Sequence, residues 1–167
     1  MKAMLLAVAA IATALPALAA DTHEWNTILL EKVVDRTPDQ TWAKIGGYCT
    51  IQTWLKLQSC VVTVGNQVGV GTNRRLNGKT DEMMVAVTPY SYTYAQLPTD
   101  IQPGSPIFYH GTLAVEPLDR GRKTKIVYTL FYDIGGLTPE KKLEDRASRT
   151  KRFGDALEEM KKMAETP

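Results

Sequence analysis

Residues 37–54 read TPDQTWAKIGGYCTIQTW, and the order of elements along the whole chain turns on them. Thr37 can cap a helix that carries Pro38 at its first position, where a missing N–H leaves no bond unmade. Trp42 and Ile45 then fall three apart on one face, and Gly46-Gly47 stops the helix. A second short helix over 49–57 presents Ile51, Trp54 and Leu55 on one side. Strand-forming residues flank the pair, with TILLEKVV at 27–34 before it and Cys60-Val61-Val62 after it. Two short helices therefore separate the first strand from the second.

Downstream the pattern becomes extended, near 67–76, 80–88, 90–96, 107–116 and 124–133, with turn residues between the stretches. Asn77-Gly78 predicts a two-residue hairpin in which Leu76 faces Lys79 and Arg74 faces Asp81. In that register Val68, Val70 and Thr72 share a core face with Met83, Val85 and Val87. A longer turn reverses the assignment, and with it which of Asp81, Glu82 and Met84 point inward. From Pro139 to Glu165, Leu143, Ala147, Phe153, Ala156, Leu157, Met160 and Ala164 recur at helical intervals among charged residues. The result is one α+β domain in which a curved antiparallel sheet can wrap a long final helix.

Residues 1–19 read as a secretory signal peptide: Lys2, an apolar run from Ala3 to Leu15, and a small-x-small site at Ala17-Leu18-Ala19. Pro16 interrupts the run short of the roughly 20 residues that span a bilayer. Residues 20–167 are then one exported domain, in a bacterium periplasmic, with no membrane span. Lys and Arg number 20 against 18 Asp and Glu, a formal charge of +2, and this balance argues against nucleic acid. Lys151-Arg152 and Lys161-Lys162 alternate with Glu158 and Glu159 as a solvated helix face would. Two cysteines in an oxidising compartment favour a Cys49–Cys60 disulfide, the alternative being two buried thiols.

The quoted stretch resembles the opening of START-like domains, the SRPBCC or Bet v 1-like superfamily, in which one helix-borne tryptophan precedes a second. GVGTNRRL (69–76), Asp81-Glu82, YSYTYAQLP (90–98), YHGTLAVEPLD (109–119), TKIVYTLFYD (124–133) and FGDALEEMKKMAE (153–165) are similar to its successive elements. The nearest likeness is to the polyketide cyclase/dehydrase-like branch, which has exported members. Some relatives carry His-Pro after the second tryptophan; here Leu55 and Lys56 follow Trp54, and no role for that histidine carries over. The resemblance implies a helix-grip fold, a seven-stranded antiparallel sheet around the C-terminal helix with a cavity between them. It implies non-covalent binding or transport of a hydrophobic or amphipathic small molecule. A polyketide cyclase/dehydratase-like enzyme and a periplasmic accessory protein of a redox system such as methanol oxidation are the alternatives, since a fold does not choose among functions.

Seven tyrosines against three phenylalanines supply candidates for the cavity wall. Tyr90, Tyr92 and Tyr94 alternate to one side of their strand, and Tyr109 and Leu113, then Tyr128 and Tyr132, share faces of later strands. Facing inward with Trp54, they offer aromatic walls plus hydroxyls for a ligand of mixed polarity; facing outward, they are ordinary sheet packing. His110, Asp81 and Glu82, with Glu116 behind them, are the acid–base candidates, although parity turns His110 away from the Tyr109 face. His23 lies near the mature terminus. No nucleophile triad, phosphate loop or metal-ligand spacing is present, so neither a cofactor nor a metal is expected.

Overall fold

A computed structural model describes residues 23–66, 68–98 and 108–167; the signal-peptide reading lies outside them. Strand β1 (Trp25–Val34) leads into helix α1 (Pro38–Ile45) and the single turn α2 (Ile51–Trp54). Strands β2 (Cys60–Val64), β3 (Asn73–Leu76), β4 (Thr80–Thr88), β5 (Ser91–Gln96), β6 (Tyr109–Leu118) and β7 (Lys123–Asp133) follow, and helix α3 (Pro139–Glu165) ends the chain. All seven strands pair antiparallel in the order β1-β7-β6-β5-β4-β3-β2. The consecutive strands β1 and β2 are thus opposite edges, and α1 with α2 carries the chain across the sheet's width. Bulges between Val62 and Val64 and between Met84 and Ala86 bend the sheet. This is the helix-grip arrangement that the resemblance implies.

Local chemistry accounts for the ends of the helices. Thr37 accepts from the Gln40 backbone N–H while the Gln40 side chain accepts from Thr37 N–H, closing a capping box ahead of Pro38. Thr138 and Pro139 open α3 in the same way, by a hydroxyl cap and a proline at the first turn. The second helix is shorter than its pattern predicts, because Lys56 adopts φ 54° and turns the chain after Trp54. Cys49 and Cys60 are joined by a disulfide with their Cα atoms 5.5 Å apart, clamping both ends of the α2 segment.

Three expectations need correction. The strand read over 67–76 begins only at Asn73, because Gly69 (φ 107°) and Gly71 (φ 87°) turn the chain, leaving Val68 and Val70 exposed. The hairpin keeps its left-handed Asn77 and Gly78, and Lys79 N–H bonds to Leu76 O, yet Leu76 pairs with Thr80. One extra residue therefore shifts the register: Arg74 faces Glu82, Arg75 faces Asp81, and the buried set becomes Thr72, Arg74 and Leu76 with Glu82 and Met84. Asn77 is tied to the loop after α2, its side chain accepting from Gln58 and Ser59 N–H, which holds the turn in this register. Finally, α3 buries Phe153, Ala156, Leu157, Met160 and Ala164, whereas Leu143 and Ala147 are exposed. The helix packs along β1 and α1, and its fully buried residues all lie in its second half, from Phe153 onward.

Candidate functional site

Beneath α2, the interior is organised around a fully buried arginine. Arg74 Nε donates to Glu82 Oε2 at 2.7 Å, its Nη2 lies 2.6 Å from the same oxygen, and Nη1 donates to the Tyr48 carbonyl. The guanidinium sits 4.1 Å from the Tyr48 ring centroid and 4.8 Å from that of Tyr94, with Tyr92 at 5.8 Å. Tyr48 OH in turn donates to Glu82 O. One side chain thereby connects the α1–α2 loop to β3, β4 and β5. Desolvation pushes the Glu82 carboxyl above its ordinary range against the pull of Arg74, while Glu82 pushes the guanidinium up despite its burial.

Next to this pair the strand tyrosines form a protonated hydroxyl array. The hydroxyls of Tyr94 and Tyr128 lie 2.7 Å apart, and Asn26 Nδ2 donates to Tyr132 OH at 2.8 Å. Tyr128 stacks on Phe153 of α3 with centroids 4.8 Å apart, and Trp54 meets Tyr128 edge-on at 5.8 Å. Burial raises Tyr94 and Tyr128 well above the usual phenol range and pushes Tyr109 up to about 12. These hydroxyls can donate or accept hydrogen bonds near neutrality, but they do not ionise there. Gly111 leaves room for the array: a Cβ there would stand 2.3 Å from Tyr94 Cζ.

Between the β3–β4 turn, the ends of β5 and β6, α2 and the first half of α3 lies a cavity of about 460 Å³. Ile51, Leu55, Leu57, Leu76, Tyr94, Tyr109 and Phe153 supply its apolar lining, and Glu82, Gln96, Asp145, Ser148, Arg149 and Arg152 supply much of its polar lining. That volume falls within the roughly 300–1,000 Å³ of small-molecule pockets. Arg149 Nε donates to both oxygens of Asp145, at 2.9 and 3.0 Å, and its guanidinium stacks on Tyr132 and Tyr109. A groove of about 590 Å³ meets the cavity at Leu55, Ser148 and Arg152, and a third hollow of about 340 Å³ shares Asp145 and Arg149 with it.

The residues singled out from sequence separate into groups. Tyr94 and Tyr109 line the cavity, Trp54 the groove and Tyr132 the third hollow, whereas Tyr92, Leu113 and Tyr128 line none of these three and pack inside. Of the acid–base candidates only Glu82 is on the cavity wall. Asp81 is held by Arg75 in a two-bond pair at 2.7 Å, and Glu116 is bonded to Lys125 at 2.9 Å. His110 stands on the outer side of β6, opposite Phe131 and Ala95. Sequence reasoning passed over Asp145, Ser148, Arg149 and Arg152; their i, i+3, i+4 and i+7 spacing was the available signal, obscured by the charges around it. Among the described residues no three His, Cys, Asp or Glu side chains gather as a metal site, and no helix is long and apolar enough to cross a membrane.

Residues 27–165 match the family described as polyketide cyclase / dehydrase and lipid transport. No curated protein matches the chain in sequence. Among solved structures, norcoclaurine synthase from Thalictrum flavum, in complex with dopamine and hydroxybenzaldehyde, is similar at TM-score 0.63 and 16% identity, over 93% of this chain and 95% of that one. A protein from Thermobifida fusca is similar at TM-score 0.66 and 18% identity, covering 83% and 92% of the two chains. One from Nitrosospira multiformis is similar at TM-score 0.61 and 19% identity, covering 81% and 96%. Identities of this size speak to the fold alone.

Proposed function

Because the chain belongs to the polyketide cyclase / dehydrase and lipid transport family, within the Bet v 1-like superfamily, we propose that it binds an amphipathic small molecule non-covalently between its sheet and α3. The observation that carries this reading is the cavity of about 460 Å³, lined by aromatic and aliphatic side chains together with hydrogen-bonding groups. Its apolar lining removes the body of a guest from water, worth about 25 cal/mol per Å² of apolar surface covered. Protonated tyrosine hydroxyls and the polar lining side chains orient the polar end. Native mass spectrometry of protein purified from its own host tests the proposal. Adduct masses that disappear on denaturation are expected; a bare protein mass, with no uptake of added amphiphiles, refutes it.

A second reading, an enzyme of cyclisation or dehydration, draws on Glu82, a carboxyl on the cavity wall that burial holds above its ordinary range. Its proximity to Arg74 favours a structural pair, because the carboxylate's proton acceptance is already engaged by the guanidinium. Turnover of a candidate substrate that disappears in Glu82→Gln while ligand binding persists would favour the enzyme. The disulfide and the signal-peptide reading of residues 1–19 support export to an oxidising compartment as part of the same proposal.

A further inference from the structure

Both carboxylates that line the cavity are engaged: Glu82 pairs with the buried Arg74 and Asp145 with Arg149. Arg149 is committed to Asp145 and to two tyrosine faces. Arg152 differs: it is exposed, lies 6.0 Å from the Phe153 ring, and forms no ion pair or hydrogen bond with any other described residue. It also stands on both the cavity and the groove, beside the Ser148 hydroxyl, at the point where the two openings join. On the same groove Trp54, 1% exposed, carries an indole N–H that meets no acceptor among the described residues. Such an orphaned donor costs about 1–3 kcal/mol unless something accepts from it.

Given the ligand-binding function proposed above, on which this rests, we infer that the ligand is an anionic amphiphile whose carboxylate seats against Arg152 where cavity and groove meet, with its apolar body against Leu55, Leu76 and Phe153. A carboxylate suits the site because guanidinium offers two parallel N–H donors to its two oxygens, and Ser148 adds a third donor beside them. The site disfavours a cationic amine, which would face Arg149 and Arg152 on the helix. The field of Arg152 already reaches inward, since it draws on the Glu82 and Tyr109 groups below.

Calorimetric titration of the purified protein with dodecanoate and with its uncharged counterpart 1-dodecanol tests the inference. Wild type should bind dodecanoate about tenfold more tightly than the alcohol, the worth of one charge-assisted hydrogen bond, and Arg152→Gln should abolish that preference. Arg120→Gln, which removes the same charge from the distant turn after β6, should retain the preference. Equal affinity for the two probes in wild type, or a preference that survives Arg152→Gln, overturns the carboxylate inference and leaves the binding function standing. Binding of neither probe overturns both. A preference lost equally in Arg120→Gln and Arg152→Gln also overturns it, since net charge alone would then be responsible.

Discussion

Replacing Arg74 with methionine is the most direct test of how this interior is held together. Methionine fills a similar length, so the main change is electrostatic: Glu82, 4% exposed, loses the guanidinium 2.6 to 2.7 Å away. Removing one partner of a buried ion pair costs about 3–5 kcal/mol. Loss of the bond to the Tyr48 carbonyl and of the stacking on Tyr48 and Tyr94 falls within that range rather than beyond it. At roughly 2–4 °C per kcal/mol for a domain of this size, the melting temperature should drop by about 6–20 °C at neutral pH.

The pH dependence gives the sharper readout. Burial already places the Glu82 carboxyl above its usual value of 4.5, and Arg74 is the strongest influence holding it down. Without Arg74 the carboxyl rises further. A group whose folded pKa exceeds its unfolded one supports the fold fully below the unfolded value, and that support is lost as pH rises through the folded value. The deficit of Arg74→Met should therefore be smallest near pH 4 to 5 and widen toward neutrality, and the double variant Arg74→Met/Glu82→Leu should regain most of the loss. Urea denaturation of the three proteins across pH 4 to 8 measures both effects. A deficit under about 1 kcal/mol at pH 7, or one independent of pH, would refute the view that an ionised pair occupies the core.

Gly111→Ala should cost about 1–3 kcal/mol through overpacking and weaken ligand uptake, because its Cβ would overlap Tyr94 and force that ring from the Tyr128 hydroxyl and the cavity wall; chemical denaturation and probe titration together read this, and an unperturbed variant counts against the placement of Tyr94. Cys49→Ser/Cys60→Ser should lose about 3 kcal/mol, the chain-entropy value for a closed loop of this short length, with wild type and reduced protein differing by about 2 Da in mass. An unchanged mass on reduction would deny the bridge. Asp133, held down to about 2 by Gly135 and Glu24 N–H groups and by His23 at 2.5 Å, should keep its support of the β1–β7 end above the ordinary carboxylate value and lose it only as pH falls toward 2. A carboxylate carbon titration by NMR with a midpoint near 4 would contradict that contact.

How much was legible can be traced to particular residues. The capping box at Thr37, the glycine stop after Ile45 and the strand–helix–helix–strand order follow from bonds formed within a few residues, and they are written in the sequence. The alternation that sets His110 opposite Tyr109, Gly111, Leu113 and Val115 is likewise a property of one strand. Together with the likeness to START-like domains, these local features determined the class of fold.

The hairpin register was not legible, because the residue that shifts it is held by the loop after α2, nineteen positions upstream of Asn77 for the Gln58 contact. That single shift brings Glu82, in place of Asp81, opposite Arg74 at the centre of the core. The first half of α3 escaped for a similar reason: periodicity names a face of a helix but cannot say which part of that face the rest of the fold covers, so Leu143 reads as core and Arg152 as solvated surface. Sequence alone determined which elements form and in what order, since those depend on neighbours along the chain. Only the tertiary structure decided which charges are buried and which line the cavity, because both depend on elements far apart in sequence meeting at one place.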